Sequence, residues 1–250
     1  MTMSEQAPRR RRDALVVAVG AVALVVLLAL GTWQVQRLAW KEGLIATIDA
    51  RIASPAHSLE DIQARLVTTG DVEYWPVTAQ GRFRHEGERH FFATHNGQSG
   101  YYVYTPLELD PGRYVLVNRG FVPFERKDPA TRPEGQVEGQ VTVTGLARGR
   151  LDGKPSFIVP DNDPQKNIFY WKDFSAMAAT AGVGRPQDYL PFFVDAGDAP
   201  NPGGLPVGGV TIVDLPNNHL QYAITWYGLA LALLGVLGAW LWRGRAAPGA

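Results

Sequence analysis

Asn217-Asn218-His219-Leu220-Gln221-Tyr222-Ala223-Ile224-Thr225-Trp226-Tyr227 opens the stretch whose reading decides the fold. From there the chain runs through apolar and small residues to Trp242, with no Asp, Glu, Lys or Arg before Arg243. Crossing a bilayer takes about 20 apolar residues, so 218–242 reads as a transmembrane helix. Its first turns are polar and aromatic, with a histidine at the front, which a plain anchor does not require.

A second run of this kind lies near the other end. Ala14 to Gln36 holds 23 uncharged residues and leads into Trp33-Gln34-Val35-Gln36-Arg37. A signal peptide has an apolar region of about 7–15 residues followed by a small-x-small cleavage site. This run is longer and has no such site close behind, so a retained helix is the expectation. Arg9 to Arg12 precede the first run, and Arg243 and Arg245 follow the second. The ten residues before Asn218 contain no Lys or Arg. The positive-inside bias then places both termini in the cytoplasm, as two crossings require. The middle of the chain faces outward, to a bacterial periplasm or a mitochondrial intermembrane space. The resulting division is a basic, disordered tail at 1–13, a first span at 14–36, an extracytoplasmic domain at 37–217, a second span at 218–242 and a tail at 243–250.

Composition narrows the function classes. The middle segment, Arg37 to Asn217, carries 18 Lys and Arg against 22 Asp and Glu, a net of −4, which argues against nucleic acid as a partner. The absence of cysteine excludes disulfides, thiolate metal sites and covalent c-type haem attachment.

The first helix is expected to continue beyond the bilayer, since Leu38, Ile45, Ile48 and Ile52 keep an apolar stripe and Pro55 stops it. Ser58-Leu59-Glu60-Asp61 reads as a capped turn or short helix. The apolar period then changes to two. Strands are expected over 77–84, 89–95, 100–107, 113–120, 141–147 and 191–195, with 210–213 a candidate seventh. A helix is expected over 169–179, ended by Gly182 and Gly184. The fold class is therefore a β-rich (α+β) domain, an antiparallel barrel or sandwich, flanked by two transmembrane helices.

No catalytic signature is present: no phosphate loop, no HExxH, no nucleophile elbow. An enzyme is not expected. Of the five histidines, His90 and His95 fall on an expected strand and His57 and His85 in polar surroundings, and solvated or structural roles are expected for these four. His90 and His95 are five apart on a strand, so they point to opposite faces. His219 stands in the first turn of a membrane helix, where the positive field favours the neutral, metal-binding ring. His219, Ala223, Trp226 and Ala230 share one face, which leaves room for a flat ligand beside the ring. An interfacial or capping role for His219 remains the competing reading. At the first span, Trp33, Gln36, Arg37 and Trp40 share a face. That face is either an interfacial aromatic belt or a contact surface. Gly228, Ala232, Gly235 and Ala239 form a ridge of small residues that suits close helix approach, to the first span or to another protein.

Four motifs together resemble the Surfeit locus protein 1 family. They are Gly31-Thr32-Trp33-Gln34-Val35-Gln36-Arg37-Leu38-Ala39-Trp40-Lys41, Gly100-Tyr101-Tyr102-Val103-Tyr104-Thr105-Pro106-Leu107, Val115-Leu116-Val117-Asn118-Arg119-Gly120-Phe121-Val122-Pro123 and Asn217-Asn218-His219-Leu220-Gln221-Tyr222-Ala223-Ile224-Thr225-Trp226-Tyr227-Gly228. Phe121 departs from the tryptophan of the family pattern. The resemblance implies an inner-membrane cytochrome c oxidase assembly factor that aids formation of the haem a centre of subunit I, with haem a synthase as a further candidate partner. It implies haem a as a transiently bound cofactor with His219 as iron ligand. Trp226 and Trp33 would cover the macrocycle, and Arg37 would face a propionate. A scaffold that binds subunit I without haem is the alternative.

Overall fold

The computed structural model describes residues 6–211, 213 and 215–245, with side chains for 11–211, 213 and 215–243. Two compact units emerge: the helical ends of the chain, up to Thr47 and from Asp214, and the segment Ile48–Val213.

Helix α1 runs unbroken over Gln6–Ile52 and α4 over His219–Arg245. Both are long and apolar enough to cross a bilayer. Helix α1 stops just before Pro55, as expected, but it already begins at Gln6, inside the stretch expected to be disordered; residues 1–5 lie outside the described residues. Helix α2, Leu59–Thr69, starts at a capping box in which Ser58 Oγ accepts from Asp61 N and the Asp61 carboxylate accepts from Ser58 N. Gly70 ends it in the left-handed conformation.

Six strands follow: β1 Pro76–Phe83, β2 Arg89–His95, β3 Gln98–Asp110, β4 Arg113–Pro123, β5 Gln140–Gly149 and β6 Tyr189–Ala196. Their order is β1-β5-β6-β4-β3-β2, and β1 also pairs with β3 through Arg82–Glu108 and Phe83–Leu107. That last pairing closes a five-stranded barrel and resolves the choice between barrel and sandwich. Strand β3 is long enough to pair with β2 along its first half and β1 near its end. The sheet is not wholly antiparallel as expected: β4 and β6 run parallel, with Asn118 opposite Asp195. The candidate seventh strand does not form at Val210, Thr211 or Val213, and Ile212 lies outside the described residues.

The helix expected over 169–179 shrinks to α3, Phe174–Thr180. Phe169 N–H donates to His90 O and Phe92 N–H to Phe169 O, so the start of this stretch is drawn into backbone pairing with β2. Asp173 then caps α3 by accepting from Ala176 N at 2.9 Å.

Alternation along the strands fills two cores. Val77, Ala79, Leu107, Val115, Val117, Val143, Phe192 and Val194 fill the barrel, joined by Leu59 and Ile62 of α2. Tyr104, Leu116, Phe169, Phe174, Met177 and Phe193 pack beneath α3. Strands β4 and β6 serve both cores, which explains why they read as nearly continuous apolar runs.

Strand β4 carries a bulge. Tyr102 faces Phe121 and Tyr104 faces Asn118, so Arg119 and Gly120 together oppose Val103. Asn118 builds it: Oδ1 accepts from Gly120 N at 3.1 Å, and Nδ2 donates to Asp195 Oδ1 at 3.1 Å. Gly120 has φ +122, and a Cβ there would sit 1.9 Å from Val207 O. Replacing Gly120 with Ala should therefore destabilise the domain by at least ~2 kcal/mol, measurable as a lower denaturation midpoint against wild type.

A second polar cluster is buried. Glu88 receives bonds from both Arg132 guanidinium nitrogens and pairs with His90 Nε2 at 3.1 Å, and all three residues are buried. Burial pushes the Glu88 carboxyl up, but the bonds from His90 and Arg132 and the Arg132 charge outweigh it and hold the group below the usual 4.5 of glutamate. The folded value lies below the unfolded one, so this contribution is fully present above pH 4.5 and is lost as pH falls through the folded value. Glu88→Gln should flatten the acid limb of a stability–pH curve. Glu88→Ala should cost about 3–5 kcal/mol at neutral pH by leaving Arg132 unpaired, with Glu88→Ala/Arg132→Leu recovering part of the loss.

Candidate functional site

In the helical unit, buried and half-buried positions of α1 recur at Gly20, Leu24, Leu27, Gly31, Gln34 and Leu38. On α4 they recur at His219, Ala223, Trp226, Ala230, Leu233 and Leu237. Steps of four and three are the signature of two helices packed along a shallow crossing. Glycine sets the distance. A Cβ on Gly31 would lie 2.9 Å from the Tyr227 ring, and one on Gly20 would lie 2.7 Å from Leu237. Ala223 and Ala230 are buried on the facing helix. The small residues that let the helices close are thus Gly20 and Gly31 with Ala223 and Ala230. The ridge Gly228, Ala232, Gly235 and Ala239 stays exposed, and nothing lies within 4 Å of a Cβ built on Gly228 or Gly235.

Two polar contacts cross this seam at the start of α4. Thr32 Oγ1 and Tyr227 Oη are 3.1 Å apart. His219 Nδ1 lies 2.7 Å from Gln34 Oε1, and Gln34 is buried. An amide oxygen can only accept, so Nδ1 donates. In a neutral ring the lone pair is then on Nε2, which makes no hydrogen bond among the described residues. A histidine that binds a metal characteristically donates its other ring N–H to a carbonyl or carboxylate, which fixes tautomer and ring orientation. His219 has that second partner in place. It is not the helix cap: Asn217 Oδ1 accepts from His219 N, at a long 3.5 Å.

Trp226 is half-buried two turns along the His219 face. Trp33 is the neighbour of Gln34, hence within about 1.5 Å of it along the axis, but it is turned outward and 54% exposed. Arg37 is exposed one turn further on, its guanidinium 3.8 Å from the Trp40 ring centroid. The structure therefore brings His219 to Gln34, and sets Trp33 and Arg37 on the adjoining face of α1. Gln34, which the sequence alone does not mark as functional, is the residue of α1 that meets His219. The available signal was its place in the four–three spacing with Gly31, since polar side chains in apolar spans turn toward a neighbouring helix.

The remaining histidines are engaged within the barrel unit. His57 packs edge-on against Trp75, His85 bonds Val137 O, His90 bonds Glu88, and His95 lies against Phe121. Among the described residues no three His, Asp or Glu side chains gather as a metal site. A single oriented imidazole does not hold a bare ion.

Comparison with known proteins agrees with this layout. The SURF1 family pattern matches residues 21–231, which include Gln34, the whole barrel unit and His219. Surfeit locus protein 1 of Xenopus tropicalis is 39% identical over 225 residues, 83% of this chain and 70% of that protein. Surfeit locus protein 1 of Homo sapiens is 39% identical over 226 residues, 83% of this chain and 71% of that one. The SURF1-like protein of Monosiga brevicollis is 37% identical over 225 residues, covering 85% and 82%. Two apolar helices flanking a β-rich unit, matched from within α1 to within α4, make this chain a member of the SURF1 family.

Proposed function

We propose that this protein is a membrane-anchored assembly factor for cytochrome c oxidase that holds haem a on His219 Nε2 and passes it to nascent subunit I. The observation that carries the reading is the Gln34–His219 hydrogen bond, which leaves one ring nitrogen free as a ligand. Haem is cargo here rather than a resident cofactor. Its porphyrin supplies four iron ligands, so one protein nitrogen is enough to capture it, and a single axial bond leaves it removable by an acceptor. Trp226 and Trp33 offer aromatic surface beside the ring, and Arg37 offers a guanidinium suited to a propionate. These three are supporting members of the site, and haem a synthase is the natural donor.

The arrangement is proposed to sit in an inner membrane, α1 and α4 crossing it, both termini cytoplasmic and the barrel unit outside, as the basic flanks direct. A second reading, a haem-free scaffold on subunit I, draws support from the exposed ridge Gly228–Ala239. The two readings separate on haem content. Protein co-expressed with haem a synthase and purified should carry haem a by its absorption spectrum, and His219→Ala should lower the haem-to-protein ratio roughly tenfold or more. Equal haem in the mutant removes His219 as ligand. Haem-free wild type that still co-purifies with subunit I favours the scaffold.

Topology has its own test, because the chain has no cysteine. Phe157, 92% exposed on a loop of the barrel unit, replaced by Cys should react with a membrane-impermeant maleimide in intact spheroplasts. Labelling only after lysis would invert the orientation.

A further inference from the structure

The barrel has two unlike ends. Helix α2 covers the end where β4 and β6 begin: Leu59 and Ile62 enter the core there, and Glu60 pairs with Arg113 at 3.6 Å. The end where β4 and β6 finish holds a cavity of about 230 Å³. Its walls are largely apolar, formed by Phe83, Val137, Val141, Val143 and Ala196, and Arg119 lines it.

Arg119 follows Val115 and Val117 along the inward face of β4, and the bulge at Arg119–Gly120 aims it into this end. It is 2% exposed. Its partners are all uncharged. Nη2 donates to Gly135 O and, at 3.4 Å, to Asn201 Oδ1. Nη1 lies 3.4 Å from His85 Nδ1, which accepts because His85 Nε2 is committed to Val137 O at 2.9 Å. The guanidinium carbon sits 4.7 Å from the Phe83 ring centroid, and Nε is buried without a partner. Among the described residues no carboxylate pairs with Arg119. The acid closest in effect, Glu88, is already taken by Arg132 and His90. Burial pushes the Arg119 guanidinium down to about 10, which leaves it charged at neutral pH.

Buried charges in proteins are paired or bind ions, because an unpaired one is costly. The mouth of a β-barrel is also a recurrent ligand site. We propose that this cavity binds the carboxylate of a small apolar acid, with Arg119 as its counter-ion. The two contacts at 3.4 Å, to Asn201 and His85, are the ones a carboxylate displaces, since a charge-assisted bidentate pair is the stronger bond. The volume equals about seven or eight waters at ~30 Å³ each, which matches an acid the size of hexanoate. The remainder of that molecule lies against the valines and Phe83.

The test uses the full chain in detergent, titrated calorimetrically with sodium hexanoate and with hexanamide, its uncharged counterpart. Hexanoate should bind saturably in the submillimolar range, and hexanamide roughly tenfold or more weakly. Arg119→Gln should lose affinity by a similar factor. Ala199→Trp, at the exposed rim of the cavity, should block hexanoate while leaving the circular dichroism spectrum unchanged. Should Arg119→Gln fail to fold, the rim variant decides alone. Equal binding of acid and amide, no saturable hexanoate signal, or wild-type affinity in Ala199→Trp would each overturn the proposal.

Discussion

One buried carboxylate organises the barrel unit. Asp195, at the end of β6, accepts from Asn118 of β4 at 3.1 Å, from Arg148 of β5 at 3.1 Å and from Thr211 at 2.8 Å. Arg148 is in turn held by Glu73 at 2.7 Å. A carboxylate withdrawn from water is tolerated only if its partners are in place, so each strand bonded to it is tied to one register. The parallel pairing of β4 with β6 places Asn118 opposite Asp195, and Asn118 then shapes the bulge that begins at Arg119, the next inward residue of β4. The Asn118-Arg119-Gly120 motif reads as three jobs: a strut to Asp195, a buried cation and a backbone position without room for a side chain.

The helical unit works by a different constraint. Its two helices are apolar on nearly every face, so sorting one face from another falls to size and to a few polar atoms. Glycines on α1 admit the Tyr227 ring and Leu237, and the Thr32–Tyr227 and Gln34–His219 contacts fix the rotation. Rotating either helix would strand a polar group in an apolar seam, which is costly. The imidazole is oriented by the same contact that aligns the pair.

Much of this was legible in the sequence. The helices announced themselves by length, and six strands by their period of two, because those signals are local. Closure of the barrel and the parallel β4–β6 pair were not legible, since strand order leaves no mark on periodicity. Residues 169–171 read as helix because nothing local shows that β2 offers them backbone partners. In the helical unit, His219 was legible as the first residue of a helix. Its partner was not. The conspicuous side chains of α1 are Trp33 and Arg37, while the contact is made by Gln34, about 100° around the helix from Trp33 and about 60° from Arg37. Likewise the small-residue ridge was read from α4 alone. The closing glycines are on α1, and only the seam tells which side faces inward.

The chemical identity of the Gln34 group bears on how firmly anything stays on His219. An amide carbonyl draws on the Nδ1 proton less than a carboxylate does, so Nε2 remains a modest donor rather than an imidazolate-like one. A permanent haem enzyme gains from a strongly pushed ligand, because electron density is part of its chemistry. A carrier gains from short residence, because its cargo has to leave. Under the proposed carrier role, the uncharged acceptor Gln34 would aim the ring without sharpening its grip, and the dissociation rate would be a property written into α1.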